Sequence, residues 1–103
     1  MLESTYQARL IKKLKVMFPG CIIQKNDPSY TQGFPDLTIF YNDRWAALEV
    51  KASEDAPTRP NQPHYVKKLD SMSFAAFIYP ENERQVLSDL QHAFNDSRKA
   101  RVS

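Results

Sequence analysis

The chain is short of the residues that carry redox and zinc chemistry. It has one cysteine, Cys21, in 103 residues. One cysteine excludes an intramolecular disulfide and any multi-cysteine zinc site. The two histidines, His64 and His92, stand far apart in the sequence and suggest no zinc cage. A reducing, cytoplasmic setting is the default expectation. No apolar run approaches the roughly 18–20 residues that span a bilayer. The N-terminal residues lack the long apolar stretch of a signal peptide. There is no internal repeat, low-complexity run or Gly/Ser linker. At this length one domain over residues 1–103 is expected, because domains commonly run about 100–150 residues. A hydrophobic share of 42% supports one ordinary core and argues against intrinsic disorder. The net charge of +2 says little about partners, but its distribution says more. Arg9, Lys12, Lys13, Lys15 and Lys25 face Glu3 alone over residues 1–26, and the tail (about 98–103) adds Arg98, Lys99 and Arg101. Such clusters suit a nucleic-acid backbone, and they also occur as solvated helix faces.

Residues 2–18 read as an amphipathic helix. At about 100° per residue, Tyr6, Leu10, Ile11, Leu14, Met17 and Phe18 share one arc. Pro19-Gly20 stops it. Residues 21–25 read as a short strand and 26–33 as a loop carrying Pro28 and Gly33. Residues 35–41 and 44–51 read as strands joined by Asn42-Asp43, a two-residue hairpin turn without the preferred glycine. Residues 52–61 are polar, contain Pro57 and Pro60, and suggest an exposed loop. A helix over 61–71 follows, capped by Asn61, with Tyr65, Val66, Leu69 and Met72 inward. The apolar run Phe74–Tyr79 reads as a central buried strand. A last helix over 82–97 turns Val86, Leu87, Leu90 and Phe94 inward. The order α-β-β-β-α-β-α predicts an α/β fold, a mixed four-stranded sheet flanked by helices.

One constellation carries chemistry. A two-residue turn makes Tyr41 face Arg44. Counting outward, Phe40 faces Trp45, Thr38 faces Ala47 and Asp36 faces Glu49. The register then sets two carboxylates side by side, with Cβ atoms roughly 5 Å apart. Like charges so placed destabilise a sheet, and a divalent cation removes the penalty. Magnesium favours such oxygens and keeps several waters. The plain alternative is a pair of exposed acids at a sheet end. Lys51 lies two residues beyond Glu49, on the same strand face. An ammonium there can orient a water nucleophile or stabilise a phosphorane-like oxygen. Leu48 and Val50 face the other way. Glu3 falls near the middle of the first helix's apolar arc, a costly place for an unpaired carboxylate. Its alternative role is to complement the helix dipole. Gln62 opens the second helix and can reach the same site, or simply cap or be solvated.

The segments Gly33-Phe34-Pro35-Asp36 and Glu49-Val50-Lys51 form a PD-x(12)-E-x-K pattern. This resembles the PD-(D/E)xK nuclease superfamily and its restriction-endonuclease-like fold. It is most similar to the VRR-NUC domains and to the archaeal-type and phage Holliday junction resolvases. The resemblance covers most of the chain, from the leading helix with Glu3 to Gln62. It implies that Asp36 and Glu49 bind magnesium, with manganese as a substitute. It further implies that Lys51 supports the attacking water, that Glu3 completes the site and that the Val50 carbonyl is a further metal ligand. Gln62 resembles the glutamine that follows the E-x-K motif in several of these families. The phage endonuclease I type shares the catalytic pattern without a detailed match elsewhere.

The reaction implied is metal-assisted phosphodiester hydrolysis. Arg9, Lys12, Lys13, Lys15 and Lys25 would hold the DNA backbone in a salt-dependent way. Tyr30, Arg59 and His64, on the flanking loops, are candidate DNA contacts, and the plain alternative for each is an ordinary loop residue. Cutting a four-way junction symmetrically calls for two sites and hence a C2 homodimer. A phage or mobile element is the source the resemblance suggests, and host-cell cytoplasm is then the location. Three readings stand. One is a structure-selective endonuclease for Holliday junctions or other branched DNA. The second is another small flap, nicking or restriction-type nuclease. The third is a non-catalytic DNA-binding module on the same fold.

Overall fold

A computed structural model of the chain describes residues 1–95. Seven elements follow one another: α1 (Glu3–Met17), β1 (Ile22–Lys25), β2 (Leu37–Tyr41), β3 (Arg44–Val50), α2 (Gln62–Met72), β4 (Phe74–Ile78) and α3 (Glu83–Asn95). The α-β-β-β-α-β-α order is the expected one, and element ends shift by a residue or two, as frayed ends do. Residues 96–103 lie outside the described residues, and with them the expected end of the last helix and Arg98, Lys99 and Arg101.

The strands form one mixed sheet in the order β1-β2-β3-β4. β1 and β3 each pair antiparallel with β2, and β4 pairs parallel with β3. The Phe74–Ile78 strand is therefore an edge strand, not the central one its apolar run suggested. Its apolar character comes from cover on both faces. Phe74, Ala76 and Ile78 belong with one core cluster, and Ala75 and Phe77 with the other.

Period-two alternation divides the molecule into layers. Ala46, Leu48 and Val50 of β3 point to the larger core, with Tyr6, Leu10 and Leu14 of α1 and Val86, Leu87, Leu90 and Phe94 of α3. Ala47 points the other way, toward Val66 and Leu69 of α2. β3 is thus covered on both sides, and Ala46 to Val50 are all buried. Polar contacts fasten the layers. Tyr6 donates a hydrogen bond to Glu83 at 2.8 Å, and Lys13 pairs with the same carboxylate. Arg44 donates to the Ala93 and Phe94 carbonyls, at 3.0 and 2.6 Å, near the end of α3.

The hairpin register matches expectation from Tyr41↔Arg44 to Leu37↔Leu48. Asn42 takes the left-handed conformation that the missing glycine would have taken, with φ 57. Asn61 does not act as the expected side-chain cap. It sits at φ 72 and makes no capping hydrogen bond. Met72 is 64% exposed rather than inward, because it is the last residue of α2, where the chain turns into β4. Among the described residues no helix is long and apolar enough to cross a membrane.

Gly33 has φ +87 and lies tight against the turn that leads into α2. A Cβ there would meet Asn61 Cβ at 2.6 Å, Asn61 C at 2.8 Å and Pro60 O at 3.0 Å. Both backbone space and φ thus demand glycine. The contact locks the loop before β2 to the loop before α2, one chain stretch on each side of the end of β3. Gly33→Ala is expected to cost about 1–3 kcal/mol, read as a lower denaturant midpoint with an unchanged slope. An unaltered midpoint would mean that the loops are not locked.

Candidate active site

The chemistry gathers where β3 ends. Odd-numbered residues of this strand face α2, so Glu49 and Lys51 project from the same side as Ala47. They meet Gln62, the first residue of α2. These three polar side chains are sealed in, with exposures of 3% for Glu49, 6% for Lys51 and 7% for Gln62. Ionisable groups are rarely buried so completely unless paired.

A chain of hydrogen bonds links them. Gln62 Nε2 donates to Glu49 Oε2 at 2.6 Å. Gln62 Oε1 accepts from the Arg59 backbone N–H at 2.8 Å and from Lys51 Nζ at 3.3 Å. Lys51 Nζ also donates to the Pro57 carbonyl at 2.7 Å and lies 5.7 Å from the centre of the Phe77 ring. The amide thus reads both neighbours at once, with its nitrogen toward the acid and its oxygen toward the cation.

Asp36 stands just before β2 and half-buried. Its Oδ2 accepts the Val50 N–H at 2.8 Å. Its own carbonyl accepts the Asn26 N–H at 2.8 Å, while Asn26 Nδ2 donates to the Pro35 carbonyl and to Thr38 Oγ1. Asn26 therefore fixes the segment that carries Asp36. Burial raises the Asp36 carboxyl above its ordinary range, against the Val50 N–H hydrogen bond, a hydrogen bond shared with the Glu49 carboxyl, and the charges of Arg59 and Lys51. Burial, then the Asp36 charge, pushes Glu49 up to about 8, with Glu3 adding to the rise and Lys51 opposing it. Among the described residues Glu49 Oε1 is buried without a hydrogen-bond partner. An unpartnered carboxylate oxygen beside a second carboxylate needs either a proton or a cation.

The donor set suits a hard cation. Magnesium is commonly held by one or two carboxylates, with waters and substrate phosphate filling the other positions. Asp36 and Glu49 supply those two. Among the described residues no three His, Cys, Asp or Glu side chains come together as a metal-holding group. Glu3 is exposed at the start of α1, not on the buried arc, because Tyr6 is the first residue of that helix to reach the core. It acts on Glu49 through its charge. Val50 enters the site through its N–H.

A cleft of about 310 Å³ opens beside the pair, with Asp36, Gln62, Arg59, Gly33 and Phe34 in its walls. Of the expected DNA contacts, Arg59 lines this cleft. Tyr30 is 91% exposed on the adjoining loop, and Lys25 is exposed at the end of β1. Arg9, Lys12, Lys13 and Lys15 are exposed on α1, which packs on the opposite face of the sheet. Lys13 is engaged by Glu83. His64 is exposed and packs against Tyr65, with ring centres 5.2 Å apart.

Sequence reasoning missed four parts of the site: the Pro57 carbonyl, Phe77 under Lys51, Asn26 behind Asp36 and the Gly33–Asn61 contact. Gly33 alone carried a sequence signal, as one of 2 glycines in the chain. Comparison with family models, with curated proteins and with solved structures found no match to this chain.

The raised Glu49 pKa has a definite sign. The folded state holds the Glu49 proton more tightly than the unfolded chain does. Stability from this source is complete below the ordinary value of 4.5 and is lost as pH rises through about 8. In EDTA the melting temperature is therefore expected to fall from pH 5.5 to 8.5. Glu49→Gln should flatten that fall, and magnesium should offset it at high pH. A wild-type melting temperature that stays level or rises over this range would contradict the assignment.

Proposed function

We propose that the chain is a metal-dependent endodeoxyribonuclease of the PD-(D/E)xK type. Its substrate is branched DNA, four-way junctions foremost, and it acts as a C2 homodimer whose two sites cut two strands. The observation that carries the reading is the Asp36–Glu49 carboxylate pair: Glu49 is buried, with Oε1 unpartnered among the described residues, and Asp36 lines an open cleft. A purely structural acid pair has no use for a cleft. A non-catalytic module has no use for a buried lysine beside it.

Asp36 and Glu49 would hold the metal, with the Val50 carbonyl as a further ligand and Glu3 contributing negative charge from nearby. When bound, magnesium polarises the scissile phosphate and lowers the pKa of water. Lys51 would orient the attacking water and stabilise charge developing on the phosphoryl oxygens. Gln62 would set the rotamers of Glu49 and Lys51 through its two ends. Phosphodiester hydrolysis breaks one P–O bond and adds one water, so no redox partner is needed. Arg59 lines the cleft and would meet the DNA there, with Tyr30 on the loop that supplies Ser29 and Lys25 at the end of β1 as further contacts. Arg9, Lys12 and Lys15 would reach more distant phosphates.

The test is cleavage of labelled four-way junction, flap, nicked and linear duplex DNA in magnesium, in manganese and in EDTA. Paired symmetrical cuts in the junction are expected, and they should be lost in EDTA. Asp36→Ala and Glu49→Ala should abolish them. Lys51→Ala should slow them about 10²–10³-fold. Cuts confined to flaps or nicks would keep the nuclease and remove the junction assignment. Binding without cleavage in either metal would remove the nuclease.

A further inference from the structure

The cleft beside the carboxylates has an aromatic wall that phosphodiester hydrolysis does not require. Phe34 lines it and is half-buried. Its inner side packs with the core beneath α2. Tyr65 backs it, with ring centres 5.6 Å apart and planes at 61°. His64 in turn packs against Tyr65 at 73°. The ring is thus braced by an edge-on contact with Tyr65, which His64 meets edge-on in turn. Arg59 lines the same cleft and is the one basic side chain among its described lining residues. Among the described residues its guanidinium has no hydrogen-bond or ion-pair partner, while its backbone N–H donates to Gln62. Ser29 lines the same space, and its loop is pinned because its N–H and hydroxyl both donate to Asp27, at 2.9 and 2.7 Å. Gly33 locks the two walls together.

A ring surface, one cation, a few polar groups and a carboxylate floor are the parts of a nucleotide site. Bases stack on aromatic side chains without regard to sequence, and phosphates take arginine. The volume of about 310 Å³ lies at the lower end of small-ligand sites, about 300–1,000 Å³. That is the scale of one nucleotide, not of a base pair held in a duplex.

We infer that this cleft takes a single unstacked nucleotide next to the scissile phosphate, with Phe34 stacking on the base and Arg59 holding the phosphate. The inference rests on the nuclease reading and deepens it. Nucleotides leave the stack at branch points, flaps and mismatches at little cost, and a paired base leaves it at a cost of a few kcal/mol. The pocket would thus make the protein select DNA structure rather than sequence.

The test is equilibrium binding in EDTA, where no cutting occurs. The probes are a junction and a duplex, each with or without one unpaired 2-aminopurine. The wild-type protein should quench the unpaired 2-aminopurine and bind that DNA at least about tenfold more tightly than the perfect duplex. Phe34→Leu keeps an apolar wall against Tyr65 and removes the ring. It should lose the quenching and about tenfold or more of the affinity for unpaired DNA, and leave perfect-duplex binding unchanged. Phe34→Tyr should restore both. Arg59→Gln, an exposed change that leaves the backbone contact in place, should weaken binding of the unpaired DNA without altering the melting temperature. Equal affinity for paired and unpaired DNA, or quenching that survives Phe34→Leu, would overturn the inference. DNA bound with these preferences and never cut would leave the pocket standing and remove the nuclease. DNA cut without these preferences would do the reverse.

Discussion

A carboxylate that cannot reach water sets the terms for this molecule. Glu49 is an interior residue of β3, covered by α2, and it stands beside Asp36. Burying two like charges together costs far more than one exposed ion pair returns. A valine or alanine at position 49 would satisfy the sheet as its neighbours do. The fold instead surrounds the acid with a matched set: Gln62 on one oxygen, Lys51 behind Gln62 and the Val50 N–H on Asp36. Among the described residues Oε1 remains without a partner. A group left in this state is a strained part of the structure, and strain of this kind concentrates at functional sites.

The rest of the architecture follows from holding that acid. β3 must be buried on both faces, so α1 and α3 cover one side and α2 the other. α2 must start at the end of β3, because Gln62 is its first residue. The loop that delivers Arg59 and Pro57 must fold back on Lys51 and Gln62. The loop that delivers Asp36 must pass within van der Waals reach of the 60–61 turn, which only glycine at position 33 allows. Two chain segments far apart in sequence thereby make the walls of one cleft.

Much of this was legible in the residues, for physical reasons. The hairpin register follows from counting outward from a two-residue turn. The ladder keeps that register to Leu37↔Leu48, and Asp36 and Glu49 lie one step beyond it. Alternation along β3 put Glu49 and Lys51 on one face, away from Leu48 and Val50. Other features were not legible. An apolar run reports cover, not position in a sheet, so Phe74–Ile78 read as central when it lies at the edge. A helical wheel reports direction, not where the core ends, so Glu3 read as inward when the helix overhangs the core at that point. Met72 misled for the same reason at the other end of a helix. Backbone groups such as the Pro57 carbonyl carry no sequence signal at all. The aromatic backing of Phe34 by Tyr65 joins residues on different elements, which periodicity cannot pair.

On the proposed function, the Asp36–Glu49 pair would exchange a proton for a divalent cation. Calorimetric titration with manganese near pH 7, in two buffers of different ionisation enthalpy, measures that exchange directly. Binding should release about one proton per chain, as burial holding the Glu49 carboxyl proton near neutral pH would require. Glu49→Gln should remove both the release and most of the affinity. Absence of binding, or binding of equal strength in wild type and Glu49→Gln with no proton released, would contradict the account.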